Sequence, residues 1–300
     1  MSKIARSLAA AAAASTLLLA GCAGAAGGGD SEAALGSEDN PVRIGTTDPA
    51  DYWDTFVDLA AEEGISVEIE LLAEYTEPNP ALSEGDLDIN QFQHIQYLAD
   101  YNVASGDDLQ PIGSTAIYPL GLYSQQYDSV EDIPDGETIV IPNDVVNQAR
   151  ALLVLQSVGL VTLEDGGSTA SSVQDIIEDE SRVEVTAVDA SITAGSLPDV
   201  AGAVINNNFL GSAGISSQDA IAADDPSDPS ALPYVNVFVV RADDVDNEVL
   251  NQLVDIYQGN QELLDEVQEF AGGTAVFTVI PADELQASLA EVQEQIESQQ

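Results

Sequence analysis

The stretch T-I-V-I-P-N-D-V-V-N-Q-A-R-A-L-L-V-L-Q-S-V-G, residues 138–159, contains one complete strand–turn–helix unit. Its apolar, β-branched start is typical of a buried strand. Asn143 and Asp144 can turn the chain and cap a helix, and Gly159 favours the end of that helix after Ser157. The pattern therefore predicts a strand over 138–141 and a helix over 146–157, which together form the repeating unit of α/β folds.

Strand and helix patterns alternate in the same way on both sides of this unit, from Val42 onward. We count about ten short strands, which is too many for one sheet in so short a chain. We therefore predict two α/β lobes with mostly parallel sheets. Apolar runs near 115–123 and 234–240 are predicted to cross between them, so that 42–117 and 241–300 form lobe 1 and 118–240 forms lobe 2.

Three further elements are predicted from local pattern. Residues 92–101 have helical spacing, and 114–124 form an apolar strand that Pro119 interrupts, as expected of an edge or crossing strand. The last helix is predicted over 283–298, with one apolar stripe formed by Leu285, Leu289, Val292 and Ile296.

The amino terminus has the pattern of a bacterial lipoprotein signal peptide over residues 1–22. Lys3 and Arg6 precede a short apolar stretch, which ends at L-L-A-G-C with Cys22 in the position of a lipobox cysteine. The alternative is a generic secretory signal, but Cys22 is the single cysteine of the chain. Residues 23–41 are small and polar, which predicts a flexible tether between a lipid anchor and the body.

The charge balance excludes several classes of protein. Six Lys and Arg residues stand against 53 Asp and Glu residues, for a net charge of −47, and removal of the signal peptide makes it −49. Such a chain repels nucleic-acid phosphates and anionic lipid. Lys3 is the single lysine, which excludes a P-loop, a Schiff-base enzyme and a pyridoxal enzyme. Since the fold does not need this charge, we expect it to lie on the surface.

Signals of catalysis, metal binding and cofactor binding are weak. His94 is the single histidine and therefore the one ordinary candidate for a general base. One Cys and one His cannot build a usual zinc site, and neither a G-x-S-x-G elbow nor a G-x-G-x-x-G loop after a strand is present. We therefore expect no cofactor, no metal and no enzymatic activity.

Polar residues at strand ends indicate a binding site. Asn147 and Arg150 share one face of the helix that follows the first quoted strand, and an Arg there can hold a carboxylate. The alternative is a structural salt bridge with one of the many acids. Asn206 and Asn236 lie at or within strands, where a buried amide needs a partner.

Aromatic residues cluster in a chain that has few of them. Phe92, His94 and Tyr97 are close in sequence, and Tyr75 and Tyr118 lie on either side of them. They are expected either to line an apolar slot or to pack in the core.

Several motifs together resemble the NlpA/MetQ family of methionine-binding lipoproteins. Their order and spacing hold from about 42 to 275, although T-T-D-P-A-D-Y-W (46–53) departs from the family's usual text. The matching segments are Y-T-E-P-N-P-A-L (75–82), G-D-L-D-I-N-Q-F-Q-H-I-Q-Y-L (85–98), I-Y-P-L-G-L-Y-S (117–124), P-N-D-V-V-N-Q-A-R (142–150), A-V-I-N (203–206) and Y-V-N (234–236).

The resemblance implies a two-lobed, periplasmic-binding-protein-like (type II) fold, with a ligand cleft between lobes joined by two crossing strands. It implies that Tyr75, Phe92, His94 and Tyr97 surround a thioether and that Arg150 holds the ligand carboxylate. It further implies that Tyr118 lines the cleft and that Asn147, Asn206 and Asn236 bind the ligand's ammonium and carboxylate groups.

The expected function is that of a lipid-anchored, extracytoplasmic protein that binds L-methionine and delivers it to an ABC permease. The alternatives are another amino acid or a methionine-containing dipeptide on the same scaffold, a secreted hydrolase that uses His94, and an adhesin with a vestigial cleft. The expected contact with the membrane is through the lipid anchor alone.

Overall fold

The structure is a computed structural model, and it describes residues 33–298. The predicted signal peptide, Cys22 and residues 23–32 of the predicted tether lie outside these residues. Within 33–298, no helix has both the length and the apolar character that a bilayer-spanning segment needs.

Strands and helices alternate along most of the described chain, as the pattern predicts. The strands are β1 (Val42–Thr46), β2 (Val67–Leu71), β3 (Ile89–His94), β4 (Leu109–Ile117), β5 (Gly121–Tyr123), β6 (Thr138–Pro142), β7 (Glu184–Val188), β8 (Gly202–Ile205), β9 (Ala222–Ala223), β10 (Val235–Arg241) and β11 (Val276–Phe277). The α-helices are α1 (Tyr52–Glu62), α2 (Pro78–Glu84), α3 (Ile95–Ser105), α4 (Val145–Ser157), α5 (Ala190–Thr193), α6 (Glu248–Gly259), α7 (Gln261–Phe270) and α8 (Ala282–Ser298).

These strands form two sheets, in the orders β11-β4-β10-β3-β1-β2 and β7-β6-β8-β5-β9. In the first sheet β1 is parallel to β2 and β3, whereas β10 is antiparallel to β3 and β4. In the second sheet β6 is parallel to β7 and β8, whereas β5 is antiparallel to β8 and β9. The prediction of mostly parallel sheets is therefore wrong, because strands that enter from the other sheet run against their neighbours.

Helices cover both faces of the first sheet. On one face Phe238 of β10 packs with Phe56 of α1 and Tyr257 of α6. On the other face Leu98 of α3 packs with residues of α8. The predicted apolar stripe of the last helix is confirmed, since Leu285, Leu289 and Val292 are buried and Ile296 packs against the same cluster.

Both faces of the second sheet are covered, and successive side chains of its strand β6 point to opposite faces. Ile139 and Ile141 of β6 pack with Leu152 of α4, whereas Val140 between them packs with Leu197 on the opposite face. The strand–helix unit predicted from the opening stretch is confirmed, and Asp144 caps α4 by accepting a hydrogen bond from the Asn147 backbone N–H.

The prediction of a helix over 92–101 is wrong in its first turn. The strand β3 continues to His94, and α3 begins only at Ile95. Since β3 lies between β1 and β10, strand pairing on both sides holds its backbone. The buried amides of Asn79, Asn90 and Gln93 hydrogen-bond one another, which satisfies two of the polar side chains of this interior strand. Gln91 Oε1, on the same strand, is buried without a partner among the described residues.

The apolar run 114–124 is two strands in two sheets rather than one strand. Residues 118–120 lead from β4 in the first sheet to β5 in the second, and residues 224–234 lead back from β9 to β10. Because β10 belongs to the first sheet, the return crossing precedes Val235. The lobe boundaries at 117 and 241 stay a prediction.

The body begins before Val42. Leu35 packs on the core of the first sheet, and the Gly36 carbonyl accepts a hydrogen bond of 2.7 Å from the Ser66 N–H. The ordered body therefore includes residues from Leu35 onward, which the sequence had assigned to a flexible tether.

Each of the four arginines in the described chain forms an ion pair with an aspartate. The pairs are Arg43–Asp88, Arg150–Asp224, Arg182–Asp135 and Arg241–Asp244, at 2.6–2.9 Å. With 53 acids in the whole chain, most carboxylates have no cation to face, and they repel one another across the surface.

We expect the folded state to become more stable as salt is added, because screening weakens this repulsion. The Debye length falls from about 10 Å at 0.1 M to about 3 Å at 1 M salt. The melting temperature should rise by several degrees between these NaCl concentrations, and should rise less in sorbitol of matched osmolality. An equal rise in sorbitol would contradict electrostatic screening as the cause.

Candidate ligand-binding site

A cleft lies between residues of the two sheets, and both aromatic and polar side chains line it, as in many small-molecule sites. All nine residues that the sequence nominates line this one cleft. They are Tyr75, Phe92, His94, Tyr97, Tyr118, Asn147, Arg150, Asn206 and Asn236.

One wall of the cleft is aromatic. The ring centroids of Tyr75, Phe92 and Tyr97 lie 5.8–5.9 Å from one another, in tilted or edge-to-face arrangements. The Tyr97 hydroxyl donates to the Tyr75 carbonyl, which fixes α3 against the loop before α2. Phe209, which follows β8 of the second sheet, lies 5.3 Å from Tyr75 across the cleft. This wall offers a polarisable apolar surface to a ligand.

His94 is held as a neutral imidazole. Its Nδ1 accepts from the Tyr97 backbone N–H at 3.1 Å, so the ring proton lies on Nε2, which faces Asn147 Oδ1 at 3.4 Å. Burial, helped by the nearby positive charge of Arg150, lowers the pKa of His94 to about 3. His94 is therefore a hydrogen-bond donor in the cleft and not a cation.

Asn147 joins His94 to the start of α4. Its Nδ2 donates to Asp144 Oδ1 at 3.0 Å, and its backbone N–H donates to the same oxygen. Burial raises the pKa of Asp144 to about 6, and Asp144 Oδ2 is buried without a hydrogen-bond partner among the described residues. Both polar atoms of the Asn147 side chain are thus engaged by protein groups, and its orientation is fixed.

Arg150 forms a salt bridge and also lines the cleft, so the salt-bridge interpretation is confirmed, whereas its role in holding a ligand carboxylate stays a prediction. Its Nε donates to Asp224 Oδ2 at 2.6 Å, and its Nη2 donates to the Tyr118 carbonyl at 2.9 Å. The guanidinium carbon lies 4.2 Å from the centre of the Tyr234 ring, a cation–π contact. Among the described side chains and backbone groups, none accepts a hydrogen bond from Nη1.

Hydrogen bonds between the two sheets close the cleft. Asn208 of the second sheet accepts from the Tyr75 hydroxyl and donates to Thr47 Oγ1 at 3.0 Å. The His94–Asn147 contact is a further bridge. The enclosed residues are accordingly buried, with Arg150 5% and Asn206 9% exposed.

One acceptor in the cleft has no partner. Asn206 Oδ1 is buried and accepts no hydrogen bond from any described residue. Asn236 lies on β10 beside His94 of β3 and completes the polar side of the cleft. A ligand that donates protons, such as an ammonium group, would satisfy Asn206.

The structure adds cleft residues that the sequence reasoning missed. They are Asp48, Gln93, Pro119, Leu120, Asn207 and Asn208. Two signals could have found some of them. The first is that Asp48 follows the carboxyl end of β1, where ligands of α/β proteins bind. The second is that Asn207 and Asn208 directly follow Asn206, which the sequence analysis had already nominated. Tyr234, directly before β10, was also missed as the ring under Arg150.

Asp48 is an acid in the cleft without a described cation partner. The Tyr52 hydroxyl donates to Asp48 Oδ2 at 2.9 Å. Burial raises the pKa of Asp48 to about 6, although the hydrogen bond from Tyr52 acts in the opposite direction.

Within 33–298, no group of three or more His, Cys, Asp or Glu side chains is arranged to hold a metal ion.

The chain forms two mixed β-sheets that are covered by helices and joined by two crossings, with a cleft between them. This arrangement defines a two-lobed, periplasmic-binding-protein-like fold. Residues 42–277 match the model of the NlpA lipoprotein family, and the chain belongs to that family. The resemblance inferred from the motifs is confirmed.

Relatives and solved structures agree with this assignment. The chain is 36% identical over 208 residues to the probable D-methionine-binding lipoprotein MetQ of Haemophilus influenzae. The matched region covers 69% of this chain and 74% of that protein. It is similar to the substrate binding protein of a methionine transporter from Streptococcus pneumoniae, with a TM-score of 0.74, 30% identity and coverage of 79% of this chain and 95% of that one. It is also similar to a nutrient binding protein from Burkholderia cenocepacia solved bound to methionine, with a TM-score of 0.73, 34% identity and coverage of 79% and 99%.

We expect His94 to remain neutral, with its proton on Nε2, between about pH 5 and 8, because burial and Arg150 disfavour the charged form. The chain has one histidine, so nitrogen-15 NMR of the imidazole reports it without ambiguity. The urea-unfolded chain is the control and should titrate near pH 6.5. A midpoint near 6.5 in the folded protein would contradict this assignment.

We expect Asp48→Asn to stabilise the ligand-free protein at about pH 8, with a gain that shrinks towards pH 4.5. The folded pKa of about 6 lies above the ordinary 3.8, so ionisation of Asp48 destabilises the fold, with the full penalty above about pH 6. The penalty decreases as the pH falls from 6 towards 3.8. His94 acts in the opposite direction, but it is present in both proteins and cancels in the comparison.

The control is Asp51→Asn, which removes an equal charge at an exposed position whose side chain makes no capping bond to α1. Thermal melts at both pH values measure the difference. A gain that is the same at both pH values, or the same as for Asp51→Asn, would contradict the buried-acid explanation.

Proposed function

We propose that this chain is the substrate-binding protein of an ABC importer and that it binds L-methionine in the cleft. The observation that carries the proposal is the convergence of an aromatic wall, one buried guanidinium and several amides in one cleft. Membership of the NlpA lipoprotein family and its similarity to methionine-binding proteins support it.

Each part of an amino-acid ligand has a complementary group in the cleft. A thioether side chain would lie against Tyr75, Phe92 and Tyr97, where sulfur–aromatic contacts contribute about 0.3–1.5 kcal/mol each. The ligand carboxylate would accept from Arg150 Nη1, which has no described protein acceptor. The ammonium would donate to Asn206 Oδ1, which is buried and unpartnered among the described residues.

Ligand entry requires the cleft to open. In this proposal the bonds of Asn208 to Tyr75 and Thr47, and the contact of His94 with Asn147, break in the open form. A ligand that contacts both sheets stabilises the closed form, and the permease receives the ligand from that form.

We further propose that the protein is anchored outside the cytoplasm through lipid on Cys22. The sequence pattern of residues 1–22 supports this location, and so does the similarity to a lipoprotein of Haemophilus influenzae. An acyl anchor holds a protein at a membrane without a spanning helix.

A second ligand class remains compatible with the same cleft. Asp48 adds an acid to the lining, and a carboxylate there favours a ligand with an extra donor, such as another amino acid or a methionine-containing dipeptide. Mass spectrometry of ligand extracted from the purified protein separates these candidates, with D-methionine as one further outcome.

A hydrolase has no support in the geometry of His94. Its Nδ1 is occupied by the Tyr97 N–H, and its pKa of about 3 makes it a weak base. We therefore propose binding and not catalysis as the role of this residue.

We expect calorimetric titration with L-methionine to show binding at one site and Arg150→Ala to weaken it by about 1.5–3 kcal/mol, or about 10- to 150-fold, because the ligand carboxylate loses a charged hydrogen-bond donor. The control is Arg182→Ala, which removes a half-exposed arginine that pairs with Asp135 outside the cleft. Its affinity should be unchanged. Tight binding of an unrelated amino acid with none of methionine would overturn the ligand assignment.

A further inference from the structure

Asp224 forms a hydrogen-bonded ion pair with the guanidinium of Arg150. It directly follows β9 at the start of the return crossing, and its two carboxylate oxygens have different partners. Oδ2 accepts from Arg150 Nε at 2.6 Å, and Oδ1 accepts from the Leu120 backbone N–H at 2.8 Å. The carboxylate therefore links the arginine to the first crossing as well as to its own segment.

The remaining contacts of Arg150 lie on the same two crossings. The Tyr118 carbonyl of the first crossing accepts from Nη2, and Tyr234 at the end of the second crossing lies under the guanidinium plane. An arginine has five N–H donors. Asp224 accepts from Nε alone, so the Arg150–Asp224 ion pair has one hydrogen bond rather than two. Both hydrogens of Nη1 are therefore without an acceptor among the described residues.

This geometry distinguishes the pair from the surface ion pairs of the chain. The Arg150 side chain is 6% exposed, whereas those of Arg43, Arg182 and Arg241 are 31–35% exposed. Desolvation of a charge is tolerated only where partners compensate it, and Asp224 is the acid within ion-pair distance of Arg150. Without it, a buried guanidinium would turn towards water or other acids.

We propose that Asp224 is a positioning residue that fixes the Arg150 guanidinium at the cleft, keeps its remaining N–H donors available, and thereby determines recognition of a ligand carboxylate. This inference rests on the proposed function, because it concerns the carboxylate of the bound amino acid. Asp224 does not touch the ligand; it acts through Arg150.

The test compares Asp224→Asn with Asp225→Asn in the full chain. Both variants remove one negative charge from adjacent positions, but Asp225 is exposed and its carboxylate accepts from Ser227 alone among the described residues. We expect Asp224→Asn to weaken L-methionine binding by about 10- to 100-fold and Asp225→Asn to leave it within about twofold. Unchanged binding by Asp224→Asn would mean that Arg150 does not need Asp224, and tighter binding would mean that Asp224 competes with the ligand; either result would overturn the proposal.

A double-mutant cycle separates positioning from general structural damage. In the Arg150→Ala background, Asp224→Asn should cause no further loss, because Asp224 acts only through the arginine. Fluorescence titration up to millimolar ligand measures these weaker affinities. Additive losses would assign Asp224 a structural role and contradict the proposal.

A second variant protects the test against a folding defect. If Asp224→Asn fails to fold by circular dichroism, Asp224→Glu keeps the charge but displaces it by one methylene group, and should still weaken binding. Unchanged affinity in Asp224→Glu would show that the position of the acid does not matter. If the unsubstituted protein binds neither methionine nor any other amino acid, the proposed function itself fails, which is a different result.

Discussion

The contacts of the Arg150 guanidinium connect the second sheet, both crossings and the ligand cleft. The arginine projects from α4, while its partners Tyr118, Asp224 and Tyr234 lie on the two segments that join the sheets. One buried cation therefore links α4 to both segments that join the sheets. In an acidic chain with four arginines in its described part, a cation in this position needs a dedicated acid, and Asp224 supplies it.

The division of chemistry between the two sides of the cleft follows from this arrangement. The first sheet and its loops contribute the aromatic wall of Tyr75, Phe92 and Tyr97, together with His94 and Asn236. The second contributes Asn147, Arg150 and Asn206. Neither side alone complements an amino acid, since the aromatic wall lies on one side and the arginine on the other. The His94–Asn147 and Tyr75–Asn208 contacts show that the two sides also complement each other when the cleft is closed.

Local sequence pattern predicted those elements whose period and capping residues agree. The β6–α4 unit is an example, since its apolar run, Asp144 cap and helical spacing all indicate the same boundaries. The pattern failed at β3, where 92–94 continue a strand, because pairing with β1 and β10 overrides the local helical spacing. It also joined β4 and β5 into one strand, because no local signal tells which sheet an apolar residue enters.

The sequence by itself determined the family, the alternation of strands and helices, the acidic character and nine cleft residues, because these depend on residue identity and spacing. Only the tertiary structure decided which acid pairs with Arg150, which nitrogen of His94 is protonated, and that Asp48 and Asn208 belong to the cleft. Those facts depend on contacts between distant parts of the chain, such as the 74 residues between Arg150 and Asp224. With 53 acids as candidates, spacing could not select the partner, and only the folded arrangement of the crossings does.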